Sequence, residues 1–340
     1  MKDLQVFTEW FKPEFDSYLS DLIDLSISMS RSDTYQTAIV QVATLASGGK
    51  SIRPYLIDLT IRQYGNEINK NDYKKLLFAM ELFHLFALIH DDVFDKADVR
   101  RGIDCIHTVM EQSGFSRHIA NSLAILIGDI VLSYADRSIA AINNQYVTNQ
   151  YYKMVDELVY GEFLDVAMVE QSSVSKQLIN DKTDFKSARY TFVQPVLLGL
   201  SYLKTNQPEI ILPLQKIGIA FQIQDDYLDI VSDELVTGKP GMQDLQEGQQ
   251  TFFTNYLVEH QTKYYRDWVR ENRGKQLSEQ EKIMAKKIFT DSGAISAGKK
   301  YYEDLYTTGL NEFERAISQS ENVILSAWSE LIAALITRTK

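Results

Sequence analysis

Glu81–His107 reads ELFHLFALIHDDVFDKADVRRGIDCIH, and its reading decides the fold. An apolar run at helical spacing closes on Asp91, Asp92, Asp95 and Asp98, followed by Arg100 and Arg101. At roughly 100° per residue, Asp91, Asp95 and Asp98 fall close to one line, with Asp92 to one side. Four carboxylates on one helical face repel one another, and Leu85, Phe86, Ala87, Leu88 and Ile89 leave them little water. A hard cation relieves that repulsion, and Mg2+ suits carboxylate oxygens. Mg2+ keeps waters and usually bridges one or two carboxylates to a substrate phosphate, so the acids suggest a diphosphate or triphosphate partner. Taken alone, the stretch reads equally well as a solvated acidic helix end. Phe221–Ile230, FQIQDDYLDI, shifts the balance. Asp225, Asp226 and Asp229 repeat the offsets of Asp91, Asp92 and Asp95, again after an apolar run (212–223). Two such stretches predict two acidic walls facing each other across a cavity, with metal ions and an anion between them.

The chain has 340 residues, long enough for one large domain or two. Hydrophobic residues make up 45% and charged residues 24%, enough for a sizeable core. The few glycines (16) and prolines (6) disfavour a turn-rich β fold. One cysteine, Cys105, excludes an internal disulfide and fits a reducing, cytoplasmic compartment. The start, MKDLQVFTEWFKPEF, carries Asp3, Glu9 and Glu14 and lacks the pattern of a secretory signal. No uncharged apolar run approaches about 18 residues, so no transmembrane helix is expected. A net charge of −11 argues against broad nucleic-acid binding. It leaves room for a small anionic substrate where basic groups and metal are concentrated.

Apolar spacing predicts a first helix over 5–30, with Pro13 near a first turn or a kink, and a second over 34–45 that stops at Ser47-Gly48-Gly49. In GGKSIRP, Pro54 suits the first turn of the next helix. Lys50 and Arg53 then lie near a helix N-terminus, a good anion pocket or a plain surface turn. Residues 71–90 form the helix leading into the first acidic stretch. His84, about two turns before Asp91 on the same face, is a candidate substrate contact. Adjacent Arg100 and Arg101 point in different directions and could each serve a different anion. His107 reads as structural. The apolar helix over 121–135 should be buried, and Asp129 then needs a partner. The helix over 152–170 carries Gly161-Glu162 and Asp165. Residues 185–200 carry Lys186, Ser187, Tyr190 and Pro195. Residues 237–251 form a Gly-rich loop whose Lys239 could reach phosphate, though the spacing is not that of a P-loop. Residues 259–285 read as an exposed connection and helix.

Taken in order, GGKSIRP, HxxxxxxDDVFDxxxxRRG, GDIVLSYA, GEFLD, KSARY, FQIQDDYLD and GKPGMQDLQEG resemble the trans-isoprenyl diphosphate synthases, or polyprenyl synthetases, over roughly residues 48 to 251. The resemblance implies an all-α fold, a single helical bundle of residues 1–340 around a deep central cavity, assembled as a homodimer. It implies a Mg2+-dependent condensation of isopentenyl diphosphate with an allylic diphosphate. Asp91, Asp92 and Asp95, with Asp225 and Asp229, would hold about three Mg2+ through their oxygens. Arg100, Lys186, Gln222 and Lys239 would touch the allylic diphosphate, and Lys50, Arg53, His84 and Arg101 the isopentenyl diphosphate. Ser187 keeps the hydroxyl of the family's usual Thr. Its oxygen and that of Gln222 would face the developing carbocation.

The chain departs from the family at Ser51, where Arg is common, at Glu162 in place of Gln, and at Gln249 in place of a phosphate-facing Lys. In the family, bulky residues below the first acidic stretch stop chain growth. Phe86 and Ala87, with no insertion in DDVFD, look like the geranylgeranyl-forming pattern; an ideal helix instead puts Phe83 under Asp91, about 12 Å down. Farnesyl or longer products, a terpene or squalene-type synthase and a non-catalytic modulating subunit are the competing readings.

Overall fold

The computed structural model describes residues 2–65, 67–171, 173–231, 241–318 and 324–336. Apolar side chains recur every three or four residues through most of them, and helices result. In chain order these are α1 (Lys2–Ser28), α2 (Asp33–Ala46), α3 (Ile52–Tyr64), α4 (Lys70–Phe94), α5 (Ile106–Gln112), α6 (Arg117–Ala140), α7 (Gln145–Met168) and α8 (Lys176–Lys182). A π-helical segment, Thr183–Val193, leads into α9 (Gln194–Leu203), and a 3-10 turn, Pro208–Ile210, into α10 (Ile211–Val231). Then come α11 (Gln243–Glu247), α12 (Phe252–His260), α13 (Lys263–Asn272), α14 (Glu279–Asp291), α15 (Ala294–Ile317) and α16 (Leu325–Ile336). Among the described residues the only strands are β1 (Val99–Arg100) and β2 (Ile103–Asp104), an antiparallel ribbon. The all-α expectation is met.

These elements fall into two compact units, Met1–Asn149 with Ser201–Leu203 and Gln150–Leu200 with Lys204–Lys340. In the first unit α1 buries Leu4, Phe7, Phe11, Phe15, Leu19 and Ile23, one stripe at helical spacing. Phe7, Phe11 and Phe15 stack along it with ring centroids 5.2 and 5.6 Å apart. Pro13 sits inside the helix on its exposed face, beyond the first turn. The core helix is α4: every residue from Leu76 to Phe83 is buried, the mark of a helix surrounded by neighbours. It packs on α2, α3 and α6.

By length and composition α6 would suffice to cross a membrane, although Asp129 keeps any uncharged run short. Here it packs on α4 and α5, with 39% of its most apolar window buried. The expectation that it is wholly buried fails: Leu126 is 58% exposed, and so is most of the Asp129 side chain. Asp129 therefore needs no buried partner; the His90 ring lies 3.6 Å away.

In the second unit α10 is the central helix, packed against the π-helical segment, α15 and α16. Its core joins Ala220, Ile223 and Ile230 to Phe253, Leu257, Phe289 and Tyr302. Residues 259–285 contain all of α13 and parts of α12 and α14 rather than one exposed helix. Val269, Leu277 and Ala285 from that stretch reach the core.

Candidate active site

In the first unit the chain places cations beside the first acidic stretch through a loop, a helix and a ribbon. Ser51 takes a left-handed conformation (φ 49°) and α3 starts at Ile52, with Pro54 in its first turn, as the sequence predicted. Lys50 is exposed just before it. The Ser51 hydroxyl donates to Glu81 of α4 at 3.2 Å, which ties the loop to the core. Glu81 is buried, and burial pushes its carboxyl up against the pull of Lys12, Ser51, Arg53 and Arg101. Arg53 donates to His84 Nε2 at 3.2 Å. Burial, then Arg53, Arg101 and Arg100, holds His84 well below its ordinary 6.5, so the ring is neutral at pH 7. A neutral ring accepting from Arg53 leaves that guanidinium charge undiminished for an anion.

The ribbon turns at Arg101 and Gly102, both with positive φ (55° and 79°), as a two-residue hairpin requires. The turn separates the two arginines. Arg100 binds Asp91 at 2.9 Å and Asp92 at 2.5 Å. Arg101 packs over the glycine loop: a Cβ on Gly48 would lie 3.3 Å from its stem. Arg53, His84 and Arg101 therefore lie around the loop that carries Lys50, while Arg100 pairs with the acids.

Helix α4 ends at Phe94 with Asp95 as its C-cap, so Asp91, Asp92 and Asp95 share a helical turn. Asp98 lies beyond it and pairs with Arg117 at 2.7 Å; the predicted line of three through Asp98 is not formed. Asp92 is buried. Burial pushes its carboxyl up while Arg100 opposes, and the buried Cys105 thiol beside it is pushed up to about 12. Below the acids, Phe83 and Phe86 are buried with rings 5.5 Å apart, and Ala87 is half-buried. Phe86 also meets the His90 ring edge-on at 4.6 Å.

In the second unit the second acidic stretch occupies the last turns of α10. Asp225 is exposed, Asp226 buried and Asp229 half-buried. Asp229 accepts from the backbone N–H groups of Gln243 and Asp244 at 2.9 and 3.1 Å, which fixes the start of α11. That brings Asp244 to the acids. Burial, then Asp229 and Asp226, pushes Asp244 well above the carboxylate range. Asp226 rises to about 7 through burial, aided by Asp225 and Asp229 and opposed by Lys182 and Gln222. Gln222 donates to Asp226 at 2.7 Å. Sequence reasoning passed over Asp244; its one signal was its place in the Gly-rich GKPGMQDLQEG stretch. Lys239 lies outside the described residues.

Lys186 rides on the π-helical segment, which two glycines admit at close range. A Cβ on Gly161 of α7 would lie 2.4 Å from the Lys186 backbone nitrogen, and one on Gly218 of α10 would lie 2.6 Å from Ala188 Cα. Ser187, half-buried, sits between these contacts. One turn after Gly161, Asp165 takes Lys186 on one oxygen at 2.6 Å and Lys182 on the other at 2.9 Å. Glu162 adds a contact to Lys186 at 3.0 Å. Burial pushes Asp165 up, but the two lysines outweigh it and hold the carboxyl at about 2. Arg189 binds Glu157 at 2.6 Å on the segment's other side. Asp165 and Lys182 were not singled out as site residues, because no spacing rule links 165 to 182.

The metal implied by the acids fits these residues. The carboxylates of both stretches are hard oxygens of the kind Mg2+ takes. Among the described residues no three His, Cys, Asp or Glu side chains are already drawn together around a metal position. An ion that keeps its waters and leans on substrate phosphate needs no such cage.

The polyprenyl synthetase family model matches residues 36–291. The chain is similar to a short chain isoprenyl diphosphate synthase of Methanothermobacter thermautotrophicus, 32% identical over 254 residues, or 71% of this chain and 73% of that protein. It is 24% identical over 308 residues to a geranylgeranyl diphosphate synthase of Sulfolobus acidocaldarius, covering 85% of this chain and 90% of that one. Its fold is similar to the crystal structure of a geranylgeranyl pyrophosphate synthase from Corynebacterium glutamicum complexed with isoprenyl diphosphate and magnesium, with a TM-score of 0.84 and 23% identity over 96% of this chain and 98% of that one. With the acids, the arginine ribbon and the lysine clamp in place, the match over most of the chain leaves one conclusion: this is a prenyltransferase and belongs to the polyprenyl synthetase family.

Proposed function

We propose that the chain condenses isopentenyl diphosphate head-to-tail with an allylic diphosphate, forming geranylgeranyl diphosphate as its main product. The observation that carries this reading is the pairing of carboxylates with cations: Arg100 on Asp91 and Asp92 in one unit, Lys182 and Lys186 on Asp165 in the other. Metal-bound diphosphate needs groups of both signs.

Asp91, Asp92 and Asp95, with Asp225 and Asp229, would hold Mg2+. When bound, the ions supply positive charge for a diphosphate leaving group. Arg100, Lys186, Gln222 and Lys239 bind the allylic diphosphate and stabilise the charge it gains when the C–O bond breaks. Lys50, Arg53 and Arg101 hold isopentenyl diphosphate, with neutral His84 steadying Arg53. The isopentenyl double bond supplies the electron pair of the new C–C bond. Loss of a proton then restores neutrality, and the departed diphosphate can accept it. The oxygens of Ser187 and Gln222 face the allylic cation. Phe83 and Phe86 set the product length, because both are buried on the helix below Asp91.

The active species is a homodimer in the cytoplasm. Tyr152, Val159, Phe163 and Val166 are exposed along one side of α7, an apolar stripe suited to self-association. The test is incubation of pure protein with Mg2+, isopentenyl diphosphate and geranyl or farnesyl diphosphate. A longer linear diphosphate supports the proposal. A hydrocarbon would point to a terpene synthase, and silence until a second protein is added to a modulating subunit.

A further inference from the structure

We propose that Lys182 is a further diphosphate-binding cation of this site, carried by Asp165 beside Lys186 and supplying the ammonium that Gln249 lacks. The inference rests on the prenyl-transfer reading and adds a residue to it. Lys182 is the last residue of α8, with a side chain only 12% exposed. Its ammonium lies 2.9 Å from Asp165 and 3.5 Å from Gln249 Oε1. The Gln249 amide closes the ring by donating to Asp165 at 3.4 Å. The position that carries a phosphate-facing lysine elsewhere in the family is therefore filled here by a neutral side chain hydrogen-bonded to an ammonium from another helix.

A structural role would require only that Lys182 neutralise Asp165. Lys186 already stands 2.6 Å from that carboxylate and Glu162 3.0 Å from Lys186, so two acids and two ammonium groups form a balanced set. The set is not closed in on itself. Gln249, the hydrogen-bond partner of Lys182, donates its backbone N–H to the Asp244 carbonyl at 2.8 Å, and Asp244 N–H donates to Asp229 at 3.1 Å, so the set lies beside the second acidic stretch. A lysine's four-carbon stem lets the ammonium exchange a carboxylate for an arriving phosphate oxygen without moving the backbone.

The test uses the full chain and inorganic pyrophosphate with Mg2+, read by calorimetry, alongside steady-state kinetics. Lys182→Gln should weaken pyrophosphate binding and raise KM for the allylic substrate about tenfold, the loss of one charged contact. KM for isopentenyl diphosphate should stay as in the wild type. Lys182→Gln with Gln249→Lys returns an ammonium to the same place and should recover most of the binding. Circular dichroism and thermal unfolding show whether each variant folds, and Lys182→Arg keeps charge where the glutamine does not fold. Wild-type pyrophosphate binding in a folded Lys182→Gln protein would overturn the inference. So would a folded double variant no better than the single one. Failure of the prenyl-transfer reading looks different: wild-type protein would then make no prenyl product, whatever Lys182 does to pyrophosphate.

Discussion

Replacing Gly161 with alanine tests how the lysine clamp is positioned. The added Cβ would lie 2.4 Å from Lys186 N, 2.8 Å from Lys186 Cα and 2.9 Å from Phe185 C. All three are backbone atoms, so no side chain can swing aside. Relief requires α7 and the π-helical segment to separate by about 1 Å, since carbon contacts favour roughly 3.5–4.0 Å. Overpacking of this kind costs about 1–3 kcal/mol. At about 2–4 °C per kcal/mol for a large domain, thermal unfolding should fall by several degrees. The same displacement carries Lys186 away from Asp165, its 2.6 Å partner one turn along α7. A misplacement of about 1 Å at a substrate-binding group can cost about 10²-fold. We therefore expect kcat/KM for the allylic substrate to fall by about that factor while helical content is kept. Purified Gly161→Ala protein compared with wild type in a coupled phosphate-release assay and a melting scan gives both readouts. Wild-type kcat/KM together with wild-type melting would refute the close approach.

That contact also shows where sequence reading stops. Gly161 was visible as a letter in GEFLD, but nothing local says that its missing side chain admits Lys186. Nothing in the sequence marks Thr183–Val193 as π-helical, because such a run is a local departure from the α-helical ladder with no composition of its own. Asp91, Asp92 and Asp95 were legible because their grouping is local: one turn at the end of an apolar helix. Asp98 was misjudged for a related reason, since an ideal helix was extended past the Asp95 cap. Asp165, Asp244 and Lys182 escaped because each owes its surroundings to residues 14 or more positions away. The cationic loop was half legible. Lys50, Arg53 and Pro54 announced a helix start, whereas the tie from Ser51 to Glu81 joins two helices and has no signature.

Phe83→Ala or Phe86→Ala should lengthen the product by one or more isoprene units, read by chromatography of the dephosphorylated alcohols; no change in either variant would remove both from length control. Asp165 makes stability depend on acid. Its folded carboxyl sits at about 2, below the ordinary 3.8, so the stabilisation is present above pH 4 and is lost as pH falls through 2. At about 1.4 kcal/mol per pKa unit it amounts to about 2 kcal/mol. Asp165→Asn should flatten that part of a stability-versus-pH curve, and an unchanged slope in denaturant melts would count against the clamp. Phe163, 68% exposed on α7, should hold the dimer together. Phe163→Glu is expected to halve the mass seen in sedimentation, and an unaltered mass would clear the α7 stripe of that role.

The central proposal is that the carboxylates of each acidic stretch supply Mg2+ ligands for a diphosphate. Mn2+ binding, followed by electron paramagnetic resonance in the presence of a non-hydrolysable allylic diphosphate analogue, measures this directly. The account predicts that Asp91→Ala and Asp225→Ala, each folded, both lose Mn2+ and analogue together and lower turnover about 10²-fold or more. If Asp225→Ala binds Mn2+ and analogue as the wild type does while Asp91→Ala does not, the two stretches serve different purposes and the account is wrong.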